Sequence, residues 1–320
     1  MANDILKFLR EKEYVSGEAL ANKLSISRVA IWKQIQKLKD TGYKIISDQN
    51  LGYCLVSRPD LLLPQEIQRG LSTKYIGKEI YYFPELKSTN IIAKEKALHR
   101  AEGINEGTLI IAERQSAGKG RLGREWFSPA GGTWLSIILY PQLSPSYISR
   151  ITLMTAVALV KAIKICTQIK SQIKWPNDIL VNEKKVCGIL TEMSAELDII
   201  NWVVVGIGVN VNIKQQEFPK DIRERTTSLK EVLGKKVLRI KLAQVFLQEF
   251  EKYYEMLKRR EFSFILKEWK LYSYTLGKKI RVNMGERIIT GETMDINESG
   301  ALILKKEDGE LIEIISGTIV

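Results

Sequence analysis

Histidine occurs once in the 320 residues, at His99. That scarcity removes Ser-His-Asp triads, His-rich metal sites and histidine general-base chemistry. Any chemistry has to rest on carboxylates, lysines, arginines and positioning. Cysteine is nearly as rare: Cys54, Cys166 and Cys187 are odd in number, far apart and without C-x-x-C spacing. They read as reduced, mostly buried thiols of a cytoplasmic protein. No uninterrupted apolar run approaches the roughly 18–20 residues that span a bilayer, so no membrane partner is expected. The start, Met1-Ala2-Asn3-Asp4, has neither a basic n-region nor an apolar h-region, and no signal peptide is expected.

What is present is a foldable chain with a basic excess. Apolar residues make up 45%, enough for a real core, and the length suits two or three domains of about 100–200 residues or fewer. The net charge of +12 points to anionic partners. Residues 1–64 hold ten Lys/Arg and seven Asp/Glu, net +3, and residues 273–320 hold six and eight, net −2. The remaining +11 lies in the middle, where an anionic substrate such as ATP explains it as well as nucleic acid does.

The apolar spacing of residues 4–12 predicts a helix, Ser16 caps a second through Leu24, and Ser27 caps a third ending at Thr41-Gly42. Two short strands, 43–47 and 53–56, flank Asp48-Gln49-Asn50-Leu51-Gly52. Helix, turn, helix and hairpin make a winged helix-turn-helix. Arg58-Pro59-Asp60 through Pro64 reads as a linker. The middle mixes strands at 108–112, 134–140, 186–191 and 202–211 with long helices near 147–169 and 240–258. From Lys278 the pattern turns to period two, broken at Met284-Gly285, Glu298-Ser299-Gly300 and Glu307-Asp308-Gly309, which predicts a small β-barrel. The expected domains are 1–64, 65–272 and 273–320, an α+β multidomain chain.

Gly118-Lys119-Gly120-Arg121-Leu122-Gly123 satisfies G-x-G-x-x-G, a dinucleotide-binding pattern that means little alone. It should open a helix and be followed about 20 residues on by an acid. Here it runs into Trp126-Phe127-Ser128-Pro129 and Gly131-Gly132, and no Asp or Glu lies between Trp126 and Asn177. The dinucleotide reading fails. What remains is a loop whose glycines allow close backbone approach and whose Lys119, Arg121 and Arg124 can clamp anionic oxygens.

Residues 113–128, ERQSAGKGRLGREWFS, resemble the biotin-binding loop of biotin protein ligases. Lys174-Trp175-Pro176-Asn177-Asp178 with Lys185, Gly188 and Ile189 resembles a second signature of that family, Ser88-Thr89-Asn90 a third and Gly206-Ile207-Gly208-Val209-Asn210 a fourth. With the winged helix and the small barrel, the resemblance covers the whole chain and is closest to bifunctional members that are both ligase and biotin operon repressor. It implies a central α/β domain with a mixed sheet like that of class-II synthetases, and an SH3-like C-terminal barrel. It also implies biotin and ATP as substrates, Mg²⁺ as cofactor, a biotin carboxyl carrier protein as acceptor, operator DNA as partner and a ligand-promoted homodimer. Biotin's carboxylate would attack the α-phosphate, and an acceptor lysine would then attack the mixed anhydride. An ionised carboxylate needs no base, which suits a chain with one histidine.

The resemblance assigns roles residue by residue. Ser88, Thr89, Asn90 and Gln115 would bind the ureido head; the alternative for the first three is a helix N-cap. Lys119, Gly120 and Arg121 would close over carboxylate and phosphate, Arg121 retaining the adenylate, with Arg124 beside them on the nucleotide. Lys185 would be the catalytic lysine, and Trp126 and Trp134 flat walls for the ring and nucleotide. Asn177, Asp178 and Asn210 would hold nucleotide, with Asp178 on Mg²⁺, a hard ion suited to oxygen ligands. Gly188 and Gly206 would leave room for ligand. Ser27, Arg28, Trp32, Lys33, Gln36 and Lys37 would read DNA, with the wing at Gln49-Asn50-Leu51 on phosphates. A lipoate-type ligase and a biotin-sensing regulator without transfer activity are the competing readings.

Overall fold

The computed structural model describes residues 2–11, 13–285 and 287–320; Met1 and Lys12, at the ends of two stretches read above, lie outside the described residues. The chain divides into two compact units, 1–61 and 62–320.

In the first unit α1 (Ala2–Glu11), α2 (Gly17–Leu24) and α3 (Arg28–Asp40) precede a hairpin of β1 (Lys44–Asp48) and β2 (Gly52–Ser57). Ile5, Leu6, Leu20, Ile31, Ile35 and Leu38 form its core, at the 3.6-residue spacing that faces helices inward. Ser16 and Ser27 accept from the backbone N–H of Ala19 and Ala30 at 3.1 and 3.2 Å, capping α2 and α3 as expected. The turn between those helices is three residues, with Ser25 left-handed at φ 54°. Asp48 Oδ1 accepts from the N–H of Asn50 and Leu51 at 2.8 and 2.9 Å, which holds its carboxyl below the usual range. Gly52 has φ +100°, and a side chain there would strike the backbone of Val15, so the wing closes only on glycine.

The second unit opens with α4 (Pro64–Arg69), β3 (Ile80–Leu86), α5 (Thr89–Ala97), β4 (Leu109–Gln115), β5 (Thr133–Leu139) and α6 (Ile148–Thr167). Then come β6 (Gln172–Lys174), β7 (Asp178–Val181), β8 (Lys184–Glu196), β9 (Ile199–Val209), α7 (Lys220–Arg223), α8 (Leu229–Leu233), α9 (Arg239–Lys258) and α10 (Phe262–Tyr272). Seven strands form one mixed sheet in the order β3-β4-β5-β9-β8-β7-β6. Only β3 and β4 pair in parallel; the other ladders are antiparallel. α6, α9 and α10 cover one face with an extensive apolar core, and α5 covers part of the other.

The chain ends in β10 (Lys279–Asn283), β11 (Ile288–Ile296), β12 (Leu302–Lys305), β13 (Leu311–Ile314) and β14 (Thr318–Ile319), an antiparallel sheet in the order β13-β12-β11-β10-β14. Its Val282, Ile296, Leu302 and Leu304 join the same core as α6 and the central sheet. Residues 273–320 are therefore a sheet of their own but not a separate compact unit. The linker is shorter than the sequence implies: Leu62 and Leu63 are buried in the second unit and Pro64 opens α4. Of the three free thiols only Cys187 is fully buried; Cys54 and Cys166 are half-buried.

Candidate active site

The sheet face opposite α6 is hollowed by glycine. Antiparallel register sets Trp134, Gly208, Gly188 and Asp178 on one rung, Ser136, Gly206 and Leu190 on the next, and Ile138, Val204 and Glu192 on the third. Residues opposite one another in a ladder share a face, so three glycines fall together on one side. Above them lies a cavity of about 720 Å³. It is lined by Ser88, Thr89, Asn90, Gln115, Lys119, Gly120, Arg121, Arg124, Trp126, Asn177, Asp178, Lys185, Gly188, Gly206 and Asn210. Every ligand-site residue named from the sequence except Trp134 is thus brought to one place.

Each glycine is there for a contact. A Cβ on Gly208 or Gly188 would lie 2.5 or 2.7 Å from the Trp126 indole, and one on Gly206 would collide with Asn90 Oδ1. Trp126 therefore lies across one half of the floor and Asn90 over the other. The Trp126 indole N–H has no hydrogen-bond partner among the described residues, a donor left for a ligand.

The glycine loop opens no α-helix, only a single 3-10 turn at Arg121–Gly123. It folds as a small hairpin in which Gly120 N–H donates to Arg124 O and Trp126 N–H to Gly118 O, with Leu122 exposed at φ 57°. A side chain on Gly118 would meet Trp126 O and Ser128. Lys119 and Arg124 are exposed at the rim. Arg121 turns inward, donating to Asn177 Oδ1 at 3.2 Å and to Gly317 O at 3.3 Å. Burial pulls its guanidinium below its ordinary range, against the opposing pull of Asp178.

Lys185 Nζ sits 2.7 Å from Asp178 Oδ1 and 4.9 Å from the Trp126 ring centroid. Burial lowers the nearby Lys174, with Asp178 pulling the other way and Lys185 adding to the lowering. Three cations and one carboxylate thus converge beside the glycine floor, an arrangement that can stabilise charge spread over phosphoryl oxygens. Among the described residues no group of three or more His, Cys, Asp or Glu could hold a metal. Asp178, the carboxylate of the lining that sits among these cations, fits Mg²⁺, which takes one or two carboxylates together with substrate phosphates.

At the opposite end, Ser88 is the N-cap of α5 yet its hydroxyl makes no cap bond. Gln115 Oε1 does that work, accepting from Thr89 N–H at 2.7 Å. Gln115 Nε2 donates to Ser128 Oγ at 2.8 Å, tying the start of α5 to the base of the glycine loop. Asn177 Nδ2 donates to Ile189 O at 2.7 Å and Asn210 Nδ2 to Thr227 O at 3.1 Å. Both asparagines line the cavity, but their amide N–H groups secure the surrounding backbone.

Trp134 is the correction. It is fully buried with Ile213 and Phe218, its indole N–H donating to Pro129 O at 2.8 Å. It shares the sheet face of Gly208 but is covered by Trp126 and Phe127, so it supports the 126–132 segment and does not line the cavity. Sequence reasoning also missed Ser136, Glu192, Ser128, Gly208 and Gly317-Thr318-Ile319. Gly208 and Ser128 stood inside quoted motifs without being given a role, and Gly208 alternates with Gly206 in Gly206-Ile207-Gly208; the others carried no signal.

In the first unit Arg28, Trp32, Lys33 and Lys37 are exposed and Gln36 half-exposed along one face of α3, joined by Val29. Ser27 is committed to its cap. The wing tip, Gln49-Asn50-Leu51, is exposed.

The model of the biotin/lipoate A/B protein ligase family matches residues 82–210, an HTH domain model matches 2–54, and a biotin protein ligase C-terminal domain model matches 275–320. Fold and site together define a ligase of the biotin/lipoate class carrying a helix-turn-helix module. The bifunctional ligase/repressor BirA of Bacillus subtilis is 38% identical over 298 residues, 93% of this chain and 91% of that protein. Its namesake in Escherichia coli is 28% identical over 316 residues, 98% and 95% of the two chains. The biotin protein ligase of Aquifex aeolicus, solved in complex with biotin and ATP, superposes with a TM-score of 0.66 at 31% identity, over 76% of this chain and 98% of that one. This chain belongs to the biotin protein ligase family, among its bifunctional ligase/repressors.

Proposed function

We propose that this protein joins biotin to a lysine of a biotin carboxyl carrier protein at the expense of ATP, and that it represses transcription in response to biotin. The observation that carries the first role is the convergence of Arg121, from the glycine loop, with Asp178 and Lys185, from the β7–β8 hairpin, beside a glycine-floored cavity. Biotin's carboxylate attacks the α-phosphate, forming biotinyl-5′-AMP and releasing pyrophosphate. The neutral acceptor amine then attacks the acyl carbon, an amide forms and AMP leaves.

In this reading Lys185 places its charge between carboxylate and α-phosphate, giving up Asp178 as ligand enters. Arg121 exchanges Gly317 and Asn177 for phosphate oxygens and retains the adenylate. Ser88, Thr89, Asn90 and Gln115 bind the ureido head, and Trp126 stacks on the ring. Asp178 would hold Mg²⁺ together with the nucleotide's phosphates, and that ion would offset phosphate charge. Catalysis is alignment and electrostatics.

Full-length protein incubated with ATP, biotin and a carrier domain should label the carrier with biotin on a streptavidin blot, and lipoate should not substitute. Lys185→Ala should cut the adenylation rate about 10²–10³-fold while the circular dichroism spectrum is unchanged. No label from folded wild-type protein would overturn the ligase role.

For the second role, α3 enters the operator's major groove. A net +3 on residues 1–64 is modest for phosphate contact, which favours a dimeric binder. Biotinyl-AMP would order the glycine loop and neighbouring loops, and the ordered loops would form the dimer surface, so the intermediate consumed by acceptor also sets repression. Sedimentation velocity should show a monomer shifting toward dimer when biotin and ATP are added together; an unchanged monomer would refute the coupling.

A further inference from the structure

The Asn90 side chain makes three hydrogen bonds at the α5 end of the cavity, and one of its partners is charged. Its Nδ2 donates to Glu192 Oε2 at 2.8 Å and to Leu190 O at 3.3 Å. Its Oδ1 accepts from Ser136 Oγ at 2.6 Å. Ser136 is fully buried on β5 and Asn90 is 3% exposed. Glu192 is in turn paired with Lys94 of α5, Nζ to Oε1, at 2.7 Å.

An amide of this kind fits its pocket in two orientations that differ by exchanging oxygen and nitrogen. Here the choice is forced. A carboxylate only accepts, so it faces the amide N–H groups, and its other oxygen is taken by the Lys94 ammonium. Both N–H groups are then used, one on Glu192 and one on Leu190 O. The oxygen points to Ser136 and has one lone pair left, beside Gly206, whose missing side chain is what lets the amide lie there.

We propose that Glu192 is a positioning residue that fixes the polarity of the Asn90 amide, so that the cavity is offered an acceptor and never a donor beside Gly206. The inference rests on the reading of this end as the site of biotin's cyclic urea. Such a head group supplies N–H donors, and an acceptor held in one orientation selects for them. A head group presenting a carbonyl or ether oxygen at that point would meet a lone pair and be rejected. Glu192 does not touch the ligand; it acts through Asn90.

Sign reversal in paired variants tests this. Glu192→Gln leaves a neutral amide that fits either orientation of Asn90, and the biotin KM for adenylation should rise about ten-fold with kcat and the ATP KM within two-fold. Asn90→Asp places a carboxylate against Glu192, and adding Glu192→Gln to it supplies a donor in place of a like charge. The same Glu192→Gln change should therefore raise the biotin KM beside Asn90 and lower it beside Asp at position 90. A purely structural role would make it harmful in both backgrounds, and thermal unfolding of each variant separates loss of fold from loss of polarity. An unchanged biotin KM in Glu192→Gln, or harm in both backgrounds, overturns the proposal. Failure of the wild-type protein to adenylate biotin would instead remove the reading beneath it.

Discussion

Two tryptophans eight residues apart share a motif neighbourhood and have opposite fates. Trp126 lies on glycine beside the cavity, its N–H over Gly208 without a partner among the described residues, whereas Trp134 spends its N–H on Pro129 O and is sealed in a small core. Residue type does not separate them; the partner of the indole nitrogen does. Trp134→Phe should lower stability by about 1–3 kcal/mol, through a lost hydrogen bond and lost volume, with the biotin and ATP KM values unchanged. Urea denaturation and steady-state kinetics on the same sample check this. The four motifs were legible because each is short and its residues are close in sequence. Ser136 and Glu192 were not, because a serine inside one apolar strand, β5, and a glutamate inside another, β8, become neighbours of Asn90 only through register.

Elements with strong periodicity or caps stood out in the sequence. Ser16 and Ser27 mark α2 and α3, and the long α6 and α9 lie within a residue or two of their expected bounds. Apart from α10, an eleven-residue helix that was also not anticipated, the strands that escaped notice are short or lie at the sheet's borders. β6 has three residues and β7 four, too few for alternation to register, and β3 is an edge strand. In α3, Arg28 and Lys33 are exposed on the face shared with Trp32 and contribute nothing to the core. Arg28→Ala and Lys33→Ala should each weaken operator binding and, where the contact is to phosphate, reduce the salt dependence by about one ion. Carrier labelling should stay at the wild-type level. Fluorescence anisotropy over a salt series, alongside the streptavidin assay, measures both.

At the scale of the molecule, the segment entering the second unit is fastened to the strand that leads into the glycine loop. Glu113, at the end of β4, accepts from Leu62 N–H at 2.7 Å and pairs with Arg239 of α9 at 2.9 Å. Both charges are buried, and removing one partner of such a pair strands the other. Glu113→Ala should cost about 3–5 kcal/mol, read by chemical denaturation. None of this was visible in the sequence, where Glu113 is simply the first letter of the loop motif and Arg239 lies 126 positions away. The shared core of the central and C-terminal sheets was hidden for the same reason: turn spacing reveals strands but not what their apolar faces rest on.

The floor of the cavity exists because Gly188, Gly206 and Gly208 have nothing to put there. Glycine is the smallest residue, so mutation at these positions can only subtract space. Variation under selection can make this protein stricter at its floor, never more permissive. Any descendant that takes a bulkier acid has to find the extra volume at the rim, in the loop around Arg121 or in the segment at Gly317.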